Sequence, residues 1–127
     1  MCNKAKFYIC PHCGNIIEKI ADSGVTPVCC GEKMKLLEAG VVEASREKHI
    51  PEVKVEGDLV TVSVGSVEHP MSEEHSILWV YLVTDKGAYR KCLEVGKAPR
   101  AEFLLKDETA LSAYAYCNLH GLWKSEI

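Results

Sequence analysis

The tightest constraint on this chain's folding is a set of paired cysteines near its start. "YICPHCG" holds Cys10-x-x-Cys13-Gly14, and "PVCCG" holds Cys29-Cys30-Gly31. The stretch around them, to about residue 40, is rich in glycine, cysteine and turn residues and has too little apolar sequence for a core of its own. Such a segment needs a staple, and small modules use disulfides or metals for that purpose. A Cys-x-x-Cys turn lets two thiolates grip one ion while backbone N–H groups aim at the sulfurs. Gly14 tolerates the backbone that such a knuckle requires. Two adjacent cysteines restrict the angles between sulfurs, so a distorted tetrahedron is expected. The spacing leaves iron and zinc equally open. Four cysteines with two knuckle glycines seldom gather as free thiols. His12, inside the knuckle, reads as a solvent-facing loop residue.

The compartment decides how all seven cysteines are read. No apolar run approaches the roughly 20 residues that span a bilayer. The opening "MCNKAKFYIC" lacks the apolar stretch of a signal peptide. The expected location is the cytoplasm, where thiols stay reduced and clustered cysteines bind metal or do redox chemistry. A net charge of -3 weighs against nucleic acid or an anionic membrane as a partner. Cys92 stands alone and reads as a core cysteine in a strand; Cys2 reads as a loose thiol near the N-terminus.

After residue 40 the pattern changes. With 127 residues the chain has room for one domain plus a small metal-stapled module. "PEVKVEGDLVTVSVG" alternates apolar and polar residues around Glu-Gly-Asp, a hairpin signal. "HSILWVYLVTDKGAYRKCLEV" reads as a second hairpin, turning at Asp-Lys-Gly, and "AEFLLKD", "ALSAYAYC" and "GLWKSEI" supply further strands. No amphipathic helix of useful length appears after residue 50. The fold expected is mainly β: a small N-terminal metal-knuckle module, residues 1–38, then a roughly seven-stranded antiparallel immunoglobulin-like β-sandwich, residues 39–127.

The sandwich region carries a second constellation. Apart from His12 the histidines are His49 in "EKHIP", His69 in "VEHPM", His75 in "SEEHS" and His120 in "YCNLHG", the last three residues after Cys117. All read as strand-end or loop residues, and a lone one would be an ordinary surface residue. Loops at one end of a sandwich can converge from distant sequence positions. Converging, these residues would offer four imidazoles and one thiolate and leave a sixth position open. Imidazole suits iron, copper and zinc, while a thiolate pushes electron density onto the metal.

With these motifs the chain closely resembles desulfoferrodoxin, the two-iron class of superoxide reductase. "YICPHCGNIIE" and "VCCGEKMKLL" resemble that family's desulforedoxin-like N-terminal module; "EKHIP", "GSVEHPMSEEHSILWV" and "YCNLHGLWKSE" resemble its neelaredoxin-like catalytic module. The resemblance implies a ferric tetrathiolate centre at Cys10, Cys13, Cys29 and Cys30. It implies a catalytic ferrous centre with His49, His69, His75 and His120 in the equator and Cys117 as axial thiolate. It places Lys48 by the open position and makes Glu47 a ligand able to fill it in the oxidised state. It further implies superoxide as substrate, a rubredoxin-like electron donor and a homodimer. Superoxide takes one electron and two protons to become hydrogen peroxide. The competing readings are a non-catalytic rubredoxin-like electron-transfer protein, which has no use for Lys48, and a zinc-binding interaction module, which would be colourless.

Overall fold

The computed structural model describes residues 4–127. Cys2 lies outside the described residues. Near the N-terminus β1 (Phe7–Ile9) is the centre of a small antiparallel sheet, flanked by β2 (Ile16–Glu18) and β5 (Lys35–Leu36). A two-stranded ribbon, β3 (Val28–Cys29) with β4 (Glu32–Lys33), stands beside it. Few apolar residues are buried within this N-terminal part, where Tyr8, Cys10 and Met34 form one small cluster.

A one-turn helix, α1 (Arg46–His49), follows. Its four residues are too few to show a helical period in the sequence. His49 is thus the last residue of a helical turn and not part of a loop.

The remaining strands form two antiparallel sheets. One has the order β10 (Arg100–Leu104), β7 (Leu59–Val64), β6 (Pro51–Glu56); the other is β12 (Gly121–Glu126), β11 (Ala110–Cys117), β8 (Ile77–Thr84), β9 (Ala88–Cys92). These seven strands make the expected sandwich. Alternate residues of each strand meet in the middle: Val60, Val62 and Val64 from β7 against Val80 and Leu82 from β8, Phe103 from β10, and Ala113, Ala115 and Cys117 from β11.

The second sheet is also covered on its outer face. Trp79, Tyr81, Tyr114 and Tyr116 point away from the sandwich core and bury Phe7 of β1 among them. The Phe7 ring lies 5.2 Å from Trp79, 5.0 Å from Tyr81 and 5.7 Å from Tyr114. The Tyr81 hydroxyl also donates to the Glu18 carboxylate of β2. The N-terminal module therefore docks on the sandwich through an aromatic layer.

Cys92 also departs from its expected place in the core. Cys92 is exposed, as is all of β9. That strand is an edge paired only with β8, and the docked module does not cover it, so a residue of either face meets solvent.

Candidate metal centres

Four thiols gather at the N-terminal knuckle. Cys10, Cys13, Cys29 and Cys30 each bring a sulfur within 4.8 Å of the others. The sulfurs of Cys13 and Cys29 are 3.7 Å apart and those of Cys29 and Cys30 are 3.9 Å apart. Sulfurs at about 2.3 Å from a tetrahedral ion stand about 3.8 Å from one another, so the spacing fits a metal. The amides of His12 and Cys13 both donate to the Cys10 sulfur at 3.4 Å. The Cys13 amide leads in drawing the Cys10 thiol down to about 6. Hydrogen bonding among the crowded thiols, that to Cys13 first, pushes Cys30 up to about 12. Four thiolates at once therefore require a cation among them. Gly14 and Gly31 take positive φ, 80° and 75°, as the turns demand, and Cys30 does so too at 53°. That left-handed residue is how two adjacent cysteines reach one point. His12 is exposed and meets the Glu32 carboxylate at 2.9 Å, in keeping with a solvent-facing residue.

The second group lies at one end of the sandwich. His49, His69, His75 and His120 form a closed ring of imidazoles, with successive centroids 4.6, 4.6, 5.1 and 4.9 Å apart. Neighbouring rings are close to perpendicular, at 78°, 79°, 76° and 88°. Cys117, fully buried, offers its sulfur to the same point, within 4.8 Å of donor nitrogens of His49, His69 and His75. His120 joins through Nδ1, 3.2 Å from His49 Nε2 and 3.9 Å from the Cys117 sulfur.

The backbone decides which nitrogens face inward. His49 Nδ1–H donates to the Ser45 carbonyl at 2.6 Å, and His69 Nδ1–H donates to the Pro70 carbonyl at 2.7 Å. A carbonyl can only accept, so each ring carries its proton on Nδ1 and keeps a lone pair on Nε2. Those two Nε2 atoms face each other at 3.2 Å. Two lone pairs cannot bond to each other, whereas a cation between them satisfies both. Nitrogens at about 2.1 Å from a metal and at right angles stand about 3.0 Å apart, close to what is observed. His75 Nε2 is buried without any hydrogen-bond partner, which fits an atom whose lone pair serves a metal. Burial holds His49, His69 and His75 below the ordinary histidine range, His69 at about 4, so the imidazoles stay in the neutral, ligating form.

Several supports carried no legible sequence signal. A shift in register between β11 and β8 falls at Tyr116/Cys117, a bulge that puts Ile77 in the core beside Cys117. Asn118 accepts from the Ser76 amide at 3.0 Å and donates to the Glu74 carbonyl at 2.9 Å, tying the His75 turn to the Cys117 turn. Trp123 lies 5.0 Å from the His49 ring and donates its indole N–H to the His120 carbonyl at 3.1 Å. Such second partners fix ring orientation. Glu47 and Lys48 are both exposed on α1. After burial and the neighbouring imidazoles, the Lys48 charge also disfavours protonation of His49 and His75.

The chain is similar to known proteins over nearly all of its length. The family model described as Desulfoferrodoxin, N-terminal domain, matches residues 2–37, and the model described as Desulfoferrodoxin matches residues 41–126. The desulfoferrodoxin of Nitratidesulfovibrio vulgaris is 47% identical over 126 residues, 99% of each chain. The crystal structure of the superoxide reductase from Treponema pallidum superposes with a TM-score of 0.82 at 41% identity, covering 97% of this chain and 99% of that one. The superoxide reductase (1Fe-SOR) from Giardia intestinalis gives a TM-score of 0.55 at 33% identity over 64% of this chain and 97% of its own. With two family models over nearly all of its length and a relative sharing almost half of its residues, the chain belongs to the desulfoferrodoxin family.

Proposed function

We propose that this protein is a superoxide reductase, reducing superoxide to hydrogen peroxide, with two irons per chain. The carrying observation is the ring of four imidazoles closed around one point beside a buried thiol, with backbone carbonyls fixing the inward lone pairs of His49 and His69. His49, His69, His75, His120 and Cys117 would hold the catalytic iron, and Cys10, Cys13, Cys29 and Cys30 the other. Ferrous iron held by the first of these sets would supply the single electron that superoxide needs, its charge offset by the Cys117 thiolate alone.

The chain's own residues do the rest. The protein is acidic overall, at -3, so its mean field repels an anion. Lys48 reverses that field locally; its ammonium group is a compact charge with three donors on a flexible stem. Glu47, on the same turn, is a hard carboxylate that would suit ferric iron as an additional ligand. The buried imidazoles remain neutral and do not compete for the two protons, which come from solvent. Residues 1–38 and 39–127 work as two modules, the first holding the tetrathiolate iron. Each turnover needs one electron from outside, and a rubredoxin-like protein is the donor in this reading. Ile20, Val25 and Val28 are exposed apolar residues of the first module and favour a homodimer. No helix of the described residues is long and apolar enough to cross a membrane. A cytoplasmic location remains part of the proposal.

The test is metal content together with superoxide consumption by the reduced protein. Two irons per chain and one peroxide formed per superoxide are expected. A colourless zinc protein, or an iron protein that leaves superoxide untouched, would overturn the reading.

A further inference from the structure

The turn that follows β7 holds α1 unusually closely. Gly65 has a φ of +86°, and a Cβ built on it would stand 2.7 Å from the carbonyl oxygens of both Glu47 and Lys48. It would also stand 2.3 Å from the Val67 carbonyl oxygen. All three obstacles are backbone, so no side chain can turn aside to make room. The same turn grips α1 with hydrogen bonds. Val67 N–H donates to the Glu47 carbonyl at 3.0 Å, the Ser66 hydroxyl donates to it at 3.2 Å, and Gly65 N–H donates to the Ile50 carbonyl at 3.1 Å. At its far end His69 N–H returns to the Val64 carbonyl at 3.2 Å. One turn thus connects the segment bearing Glu47, Lys48 and His49 to the segment bearing His69.

We infer that the Gly65–Ser66–Val67 turn is a positioning element for the reaction, with Gly65 as its essential residue. It sets the height of Glu47 and Lys48 over the imidazole ring by letting their peptide carbonyls sit where any other residue would carry a side chain. The inference rests on the reading of Lys48 as the group that meets superoxide. Gly57 supplies a matched control. Its φ is also positive, at 60°, but a Cβ there would meet nothing within 4 Å. Gly57→Ala therefore carries the backbone cost alone, whereas Gly65→Ala adds displacement of α1.

The experiment compares Gly65→Ala, Gly57→Ala, Ser66→Ala and Ser66→Thr in the iron-loaded protein, with the main thermal transition of the sandwich by circular dichroism as a check that it has folded. Hydrogen exchange by mass spectrometry follows residues 46–50 and 64–68. The bimolecular rate with superoxide is measured against ionic strength. Gly65→Ala should raise exchange in both segments by about tenfold relative to Gly57→Ala. It should also lower the superoxide rate by roughly tenfold to 10²-fold, with a flatter salt dependence. Ser66→Ala should raise exchange over 46–50 by about threefold and Ser66→Thr, which keeps the hydroxyl, should restore it. Gly65→Ala exchanging and reacting as Gly57→Ala does would overturn the inference. So would Gly65→Ala raising exchange while leaving rate and salt dependence untouched, given a Lys48→Ala variant that is slow. If Gly65→Ala does not fold, Ser66→Ala decides, and unchanged exchange over 46–50 sinks the proposal. A Lys48→Ala variant as fast as wild type refutes the steering role of Lys48; the exchange comparison then still decides whether the turn fixes α1.

Discussion

Phe7 is the residue on which the docking of the N-terminal module turns. It is 4% exposed, and its ring touches Trp79, Tyr81 and Tyr114 at centroid distances of 5.0 to 5.7 Å. Removing it with Phe7→Ala costs the transfer of a large apolar ring, about 1.5–3 kcal/mol. It also leaves a cavity and forfeits aromatic pair energy of about 0.5–1.5 kcal/mol per pair, terms that overlap. Phe→Ala changes in cores come to about 3–5 kcal/mol in total, and that is the expected loss here. The loss falls on docking and not on the sandwich, whose inner core lies on the other face of the sheet. The sulfur-bound metal still holds the freed module together, and the Tyr81–Glu18 hydrogen bond is too little to keep it in place. Differential scanning calorimetry should show an early transition ahead of the main one. Limited proteolysis should cut the variant near residues 38–45, where wild type resists. The absorption of the catalytic centre should stay the same up to the main transition. A single transition within about 3 °C of wild type, which at this chain length corresponds to about 1 kcal/mol, would refute the reasoning.

Four further outcomes are expected. Cys13→Ser should lose the visible bands of the tetrathiolate iron yet reduce superoxide within a few-fold of wild type, as measured by pulse radiolysis. Cys117→Ser should abolish the sulfur-to-iron charge-transfer band of the oxidised catalytic site and most of the activity; an unchanged band would remove Cys117 from the ligand set. Glu47→Ala should alter the ferric spectrum while leaving the bimolecular rate with superoxide nearly as it was. Lys48→Ala should slow that rate by roughly tenfold or more and flatten its salt dependence, with Lys48→Arg recovering part of it.

What could be read from the sequence was whatever has a local period or a short spacing. β7 alternates in sequence and in burial because one of its faces meets the core, whereas its hairpin partner β6 keeps the alternation in sequence only and leaves Val55 in water. β8 does not alternate: "ILWVYLVT" is buried at seven of its eight positions because the sandwich takes one face and Phe7 the other. Phe7 lies some seventy residues upstream, so nothing near β8 announces its partner. The same lack of a local signal misplaced Cys92, whose strand looks like any half-apolar strand until its position at the sheet edge is known. At the imidazole ring the donors were legible by residue type, and the structure brings them together. The groups that aim them were not legible. The carbonyls of Ser45 and Pro70 act through main chain, which every residue possesses, so no letter of the sequence marks them. The Gly65 cradle is silent for the same reason, since a glycine in a turn looks alike whether or not another peptide leans on it.

The order of donors along the chain also sets an order in time. The sulfur set is complete once Cys30 has been made, and its strands pair only with one another, within residues 7–36. The imidazole set opens with His49 but lacks Cys117 and His120 until β11 has been synthesised, and β11 lies between β8 and β12. Chains fold from the N-terminal end as they emerge. The knuckle can therefore take its metal while the rest is still on the ribosome, whereas the ring can receive iron only after the central strand of the second sheet has come into place. A cell short of iron would for that reason fill these two sites at different stages of a single protein's birth.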